Sequence, residues 1–368
     1  MLKQVQHDRK HKMDKIFSDL KVIELAGVLA GPSAGLFFAE LGASVIKIEN
    51  PKTGGDVTRS WKLKVEDKTD KTSAYFWSVN TGKEILFLDL SLDKDLQSFY
   101  DLIKTADVLI TNYKLGDDKK LKVDYDTLKA LNPTLIYASI NGFGNQNPRT
   151  AYDLILQAES GFMFMNGEKD AAPLKMPVAL IDILAGHQLK EAILVALINK
   201  YKKQIGSHIT VSLFDTAIAS LANQATNWLI ANHLPTAQGS LHPNIAPYGE
   251  IFTTADNHKI TFAIGSDKQF KHLCDILKLD LYHQPEFENN QLRVANRIDL
   301  YTKLNQSIQS FLFDTIFSEC IKHDVPIGKI RNLKEVFELP EAKELINTFL
   351  YNNKTIHSIN SVSFKFEE

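Results

Sequence analysis

Over the first 140 residues, short β-branched runs alternate with helical segments, and this alternation restricts the fold more than any other feature. Lys21–Leu25 (KVIEL) reads as a buried strand and AGVLAGP as a small-residue turn. Ser33–Leu41 reads as a helix with Ser33 as a candidate cap, and Ser44–Glu49, after Gly42, as a second strand. Further strands are predicted at Ile85–Leu90, Val108–Asn112 and Leu135–Ile140, with helices at Lys94–Thr105 and Tyr125–Leu131 between them. Strands and helices alternating at this spacing build an α/β fold on a parallel, doubly wound sheet. Its ligand edge is the row of loops that follow the strands.

From about residue 150 the pattern turns helical. Helices are predicted at Tyr152–Met163 and Ile183–Lys200, then a strand at Ile209–Leu213 and a long helix over Thr216–Asn232. His233–Tyr248, with three prolines, is the best linker candidate. A hairpin-like pair, Gly249–Thr253 and Lys259–Ile264, precedes helices near Lys268–Leu277, Arg297–Phe313 and Asp314–His323, which together read as a smaller α+β domain. The expected organisation is a disordered extension at 1–12, a large domain at 13–225, a linker at 226–248 and a small domain at 249–330. Residues 331–368, with short helices and a strand-like SVSFKF, are expected to return to the large domain.

Composition narrows the function classes. Forty-two basic against 44 acidic residues give a net charge of -2, so there is no electrostatic case for nucleic acid or an anionic membrane. Cys274 and Cys320 have no metal-ligand or disulfide-framework spacing, which fits a reducing, cytoplasmic setting. No apolar run is long enough to span a membrane and the N-terminus has no signal-peptide core. The 11 histidines form no Cys/His cluster, and their one HxxxH spacing, His7 to His11, falls in the charged N-terminal stretch, so no metal is expected.

Three features are able to carry chemistry. The AGVLAGP turn offers small residues and a helix N-terminus to a phosphate, or it is simply a tight turn; it is not the G-x-G-x-x-G fingerprint of a nicotinamide enzyme. Asp182 sits in the apolar stretch PVALIDILAG, where it reads either as the N-cap of the following helix or as a nucleophile kept anionic by that helix. Lys83, Asn112, Lys114, Lys120 and Asn141 lie near predicted strand ends and suit a polar ligand, although each lysine alone reads as solvated surface.

At these residues the chain resembles the family III CoA-transferases, the CaiB/BaiF group that includes formyl-CoA transferase, carnitine CoA-transferase and the α-methylacyl-CoA racemases. The resemblance rests on ten collinear blocks: LKVIELAGVLAGPSAGLFFAELGASVIKIENP, GGDVTRSW, LFLDLS, ADVLITNYKLG, ASINGFG, AYDLILQAESGFMFMNGE, PVALIDILAG, GSHITVSLFD, HPNIAPYG and VPIGKI, from about residue 19 to 330. It implies a Rossmann-like large domain, a small domain and an interlocked homodimer. It places the catalytic role on Asp182 and coenzyme A, carried as acyl-CoA substrate, on Val28, Leu29 and Ala30; on Asn50; on Leu88, Asp89, Leu90 and Ser91; on Asn112, Tyr113 and Lys114; on Lys120; and on Asn141, Gly142, Phe143 and Gly144. A small carboxylic acid is the implied second substrate, and Gln238–Ser240 an implied source of oxyanion donors.

The chain departs from the family pattern at four places. Asn50 stands where a basic residue commonly follows KIE, with Lys47 or Lys52 as substitutes, and Leu115 stands where proline is common. The AQGSLHP loop is poorer in glycine, and no LGxHT-like tail precedes Glu368. The racemase alternative lacks its histidine, because Tyr152 precedes Asp153. A silent CoA-binding member of the family is a further alternative, against which the retained Asp182 argues. Met163, Phe164 and Met165 read as core rather than as an acyl pocket, and Glu159 either orients substrate or bonds to backbone.

Overall fold

The structure is a computed structural model that describes residues 16–144 and 146–365. The extension expected at residues 1–12 lies outside the described residues. The chain divides into two units, one of Met1–Met163, Lys175–Leu234 and Lys343–Glu368, the other of Phe164–Leu174 and Pro235–Ala342.

The first unit is built on six strands: β1 (Lys21–Glu24), β2 (Ser44–Glu49), β3 (Glu84–Phe87), β4 (Val108–Thr111), β5 (Ile136–Asn141) and β6 (Ser207–Ser212). They lie in the order β3-β2-β1-β4-β5-β6, and every neighbouring pair is parallel. This is the strand order of the doubly wound dinucleotide-binding sheet, with the order reversing between β1 and β4. The helices of this unit are α1 (Ala30–Glu40), α2 (Ala74–Asn80), α3 (Asp93–Ile103), α4 (Asp117–Lys120), α5 (Tyr125–Leu131), α6 (Asp153–Glu159), α7 (Phe162–Met165, at the unit boundary), α8 (Leu180–Lys203), α9 (Leu213–Ala219) and α10 (Ala222–Ala231).

The strands read as nearly continuous apolar runs because both faces are covered. Val22, Val45, Val108, Ile110 and Ile136 share one core with Phe38 of α1 and Leu189 and Ile193 of α8. Their neighbours Ile23, Leu109, Leu135 and Tyr137 share the opposite core with Phe99 of α3 and Leu128 of α5. The period of two along each strand therefore sorts side chains between two helical layers.

Local sequence explains most boundaries, and the differences from expectation have identifiable causes. α1 starts at Ala30 rather than Ser33, because Pro32 fits a first helical turn, and Ser33 Oγ donates to the Ala30 carbonyl at 2.8 Å instead of capping. The single helix expected over 216–232 is two, α9 capped by Ser212 and α10, with Ala222 in the left-handed region at φ 48°. The terminal SVSFKF has no regular structure over 362–365. The preceding residues instead form a hairpin, β10 (Ile346–Tyr351) and β11 (Lys354–Ile359), in the numbering that follows the second unit's strands. Its turn residues Asn352 and Asn353 both have positive φ, the Asn-rich two-residue loop that favours a hairpin. The hairpin packs Phe349 and Tyr351 on Trp77 of α2, at ring separations of 5.2 and 4.7 Å.

The second unit carries an antiparallel sheet of β7 (Tyr248–Thr253), β8 (Lys259–Ala263) and β9 (Ile327–Lys329). Phe252, Ile260 and Phe262 of this sheet share a core with Phe270, Leu273 and Leu304 of the helices Asp267–Leu277 and Arg297–Ile308. Cys274 and Cys320 are free and buried in that core, and burial pushes both thiols up to about 12. No described helix is long and apolar enough to cross a membrane.

Candidate active site

The β1–α1 turn lies at the reversal point of the sheet, where ligands of open α/β folds bind. Two glycines of α1, next to the turn, serve packing. A Cβ at Gly31 would overlap the Ala26 side chain, and one at Gly35 would overlap the Glu24 carboxylate. The turn itself is held from two sides. Asn112, just after β4, accepts from Gly27 N–H at 3.0 Å and donates back to the Gly27 carbonyl at 2.9 Å. Asp56 accepts the Val28 N–H at 3.2 Å. Val28 is at φ 71°, a left-handed conformation that is a true outlier for a β-branched residue.

Asp182 is the third residue of α8, one turn before Gly186. The N-cap reading is thereby corrected: the cap position is Ala179, and the Ile181 N–H is taken by the Asp153 carboxylate of α6 at 2.8 Å. Asp182 is left 8% exposed. Burial, and then the charge of Asp153, raise its carboxyl to about 7. Desolvation and a like charge outweigh the helix terminus in this balance, leaving the carboxyl near neutrality. Gly186 explains how α8 comes so close to α1. A Cβ there would lie 2.9 Å from the Ala30 carbonyl and would overlap Ser33 Oγ.

A cavity of about 380 Å³ opens over the ends of β1, β4 and β5, and Asp182 lines it. So do Val28, Leu29, Ala30, Asn112, Tyr113, Lys114, Asn141, Gly142 and Gly144, ten of the predicted site residues with Asp182 included. A second cavity of about 260 Å³, mainly apolar, is lined by Asn50, Leu88, Leu90, Tyr113 and three further residues, so Tyr113 borders both. Burial pushes the Tyr113 phenol up to about 12. Asp89 and Ser91 border neither cavity. Asp89 pairs with Lys52 at 2.6 Å and accepts from Ser91 Oγ at 2.6 Å. Lys52 is thus the cation beside Asn50, whereas Lys47 is fully buried elsewhere. Lys120 borders neither cavity, is exposed and pairs with Asp117 at 2.8 Å. Phe143 turns away to pack on Phe214, and the Arg149 guanidinium lies 4.3 Å from its ring.

Several lining or neighbouring groups escaped the sequence reading. Arg149 lines the large cavity and forms a two-pronged pair with Glu159. Tyr152 and His208 also line it, His208 stacked on Tyr125 with a ring separation of 4.5 Å. The phenol of Tyr75 in α2 is pushed up by burial and then by the charges of Asp182, Asp153 and Asp56. No local pattern marks such residues, since they meet only through tertiary packing. Met163, Phe164 and Met165, expected in a core, are not buried, and Phe164 is exposed. Lys83 is not at the sheet edge but buried against Glu24. In the second unit the Gly239 N–H is already given to the Gly167 carbonyl at 2.8 Å. Among the described residues no group of three or more His, Cys, Asp or Glu is arranged to hold a metal.

Residues 17–367 match CoA-transferase family III. The chain is 39% identical over 333 residues to a succinate–glutarate CoA-transferase of Agrobacterium fabrum, covering 89% of this chain and 82% of that one. It is 33% identical over 332 residues to the succinyl-CoA:glutarate CoA-transferase of Homo sapiens, covering 89% and 74%. A crystal structure of a CaiB/BaiF family protein from Brucella suis superposes with a TM-score of 0.84 at 36% identity, over 95% of this chain and 92% of that one.

Proposed function

The chain belongs to CoA-transferase family III, and from that premise we propose that it moves CoA from a short dicarboxyl-CoA to a carboxylic acid through covalent intermediates on Asp182. The observation that carries this reading is a single buried carboxylate on the wall of the large cavity, poised near neutrality. Dicarboxylates are favoured because the relatives are named for succinate and glutarate and because Lys114 and Arg149 line the same cavity. The apolar cavity bordered by Leu88, Leu90 and Tyr113 suits the adenine end of CoA, with Lys52 as a phosphate partner outside it. The functional form is a cytoplasmic homodimer in this reading, and the domain limits 13–225 and 249–330 describe its subunit.

The ionised Asp182 attacks the thioester carbonyl, the C–S bond breaks, and CoA leaves as thiolate from a mixed anhydride. The thiolate then attacks the aspartyl carbonyl of that anhydride, releasing the donor acid and forming an aspartyl-CoA thioester. The acceptor carboxylate attacks this thioester, again expelling thiolate. Attack of the thiolate on the acceptor's acyl carbonyl gives the new acyl-CoA and restores Asp182. Each step exchanges one acyl bond for another, so the chemistry divides into steps of similar energy. A buried nucleophile limits hydrolysis of the anhydride, and a carboxylate of raised pKa is the better nucleophile once ionised. Racemase chemistry would need an acid–base pair, yet Asp153 is committed to Ile181 N–H and Gln157.

Peptide mass spectrometry after mixing the protein with succinyl-CoA tests the proposal. The expected result is a CoA-mass adduct on the peptide carrying Asp182 that glutarate discharges. No adduct with succinyl-, glutaryl- or acetyl-CoA, together with deuterium uptake at the α-carbon, would replace transfer by racemisation. The pH profile offers a separate check. Because the anion is the reactive form, kcat/KM rises through about pH 7. Asp153→Asn removes a charge that opposes ionisation and is expected to move this acid limb to lower pH. An unmoved limb would show that Asp153 does not set the ionisation of the nucleophile.

A further inference from the structure

Beneath the β1–α1 turn lie four charged side chains, Lys83, Glu24, Lys47 and Asp56, all buried and alternating in sign. Lys83 Nζ donates to both Glu24 oxygens at 3.0 and 2.8 Å. Lys47 Nζ lies 3.0 Å from Glu24 and 3.1 Å from Asp56. Burying such a set is weak evidence for stability, because packed apolar side chains do as well. What apolar side chains cannot do is hold backbone atoms. Lys83 donates to the Pro32 carbonyl at 2.8 Å, Lys47 donates to the Ala26 carbonyl at 2.6 Å, and Asp56 accepts the Val28 N–H at 3.2 Å. The three contacts fall on one connection, before, within and after the point where Val28 takes its left-handed φ of 71°.

We propose that Asp56 is a positioning residue that acts through Val28. Anchored by Lys47 and by the Thr58 N–H and hydroxyl, at 3.0 and 2.8 Å, its carboxylate holds the turn in a conformation valine disfavours. The turn then presents Leu29 and Ala30 to the cavity that contains Asp182. Strained backbone of this kind persists only where its surroundings over-determine it, and such sites cluster at ligand-binding centres. Asp56 itself does not line the cavity. The inference rests on the CoA-transfer reading for its assay, but not for its geometry.

A double-mutant cycle separates this role from a merely structural one. Glycine reaches left-handed φ without strain and does not need to be held there. Asp56→Asn, Val28→Gly and the double variant are compared by kcat and KM with succinyl-CoA and glutarate, and by calorimetric Kd for free CoA. In the valine background, Asp56→Asn is expected to weaken CoA binding and kcat by about tenfold each. In the glycine background the same change is expected to cost no more than about twofold. Equal losses in both backgrounds would overturn the proposal, as would a lower unfolding midpoint with unchanged kcat and Kd. If Asp56→Asn is insoluble, a soluble double variant supports it and an insoluble one refutes it. Failure of the transfer reading itself is seen separately, as wild-type protein without exchange. The cycle is then read from the exchange rate of the Val28 amide, which Asp56→Asn should accelerate. An unchanged rate would overturn the proposal.

Discussion

Asp182→Asn is expected to abolish CoA exchange, lowering kcat on the order of 10⁴-fold or more, and to make the protein more stable at neutral pH. Both effects come from one property. Wild-type Asp182 has its carboxyl raised to about 7, through burial first and Asp153 second. Its unfolded value is that of an ordinary carboxyl. Between these two values the folded state binds more protons than the unfolded state, so stability falls as pH rises through that window and stays low above it. Asparagine fills the same space without ionising. The variant's advantage should be small near pH 4, grow by about 1.4 kcal/mol per pH unit, and level off above pH 7 at roughly 4 kcal/mol. Urea midpoints of both proteins at pH 5, 6, 7 and 8 would measure it. A variant no more stable than wild type at pH 8 would mean that Asp182 is solvated, and a variant that still carries CoA would mean that another residue is the nucleophile.

Gly186→Ala is expected to lower kcat by about 10²-fold with every proposed catalytic group still in place. The new methyl group would lie 2.9 Å from the Ala30 carbonyl and overlap Ser33 Oγ, so α1 and α8 must part or bend. Asp182 stands one helical turn from Gly186, and Ala30 lines the same cavity, so separation moves the nucleophile relative to the turn that faces it. Overpacking of this size also costs about 1–3 kcal/mol of stability. Adding Ser33→Ala removes the hydroxyl but leaves the carbonyl contact, so partial recovery of kcat is expected. Full activity in Gly186→Ala would show that the close helix approach does not place Asp182.

The hairpin at 346–359 shows how a readable signal is overlooked. Its two asparagines, between INTFLY and KTIHSI, mark a tight turn, whereas the strand expected at SVSFKF has no regular structure over 362–365. The paired carboxylates of the site show the other case. Asp153 and Asp182 are 29 positions apart, and the sequence presents each as a separate polar residue. Their coupling exists only once α6 is packed against the start of α8.

Taken alone, the sequence determined the parallel α/β sheet, the small-residue turn after β1, the family, and Asp182 as the carboxylate of interest. These are encoded in local periodicity and in short blocks, which survive reading one segment at a time. Only the tertiary structure decided the raised carboxyl of Asp182, the use of Asn112 and Asp56 as clamps, the burial of Lys83 rather than its exposure at the sheet edge, and the burial of Lys47 rather than its standing in beside Asn50. Desolvation and charge coupling depend on which distant segments exclude water around a group. That information is spread over Glu24, Lys47, Asp56, Lys83, Asp153 and Asp182, and only the folded chain brings it together.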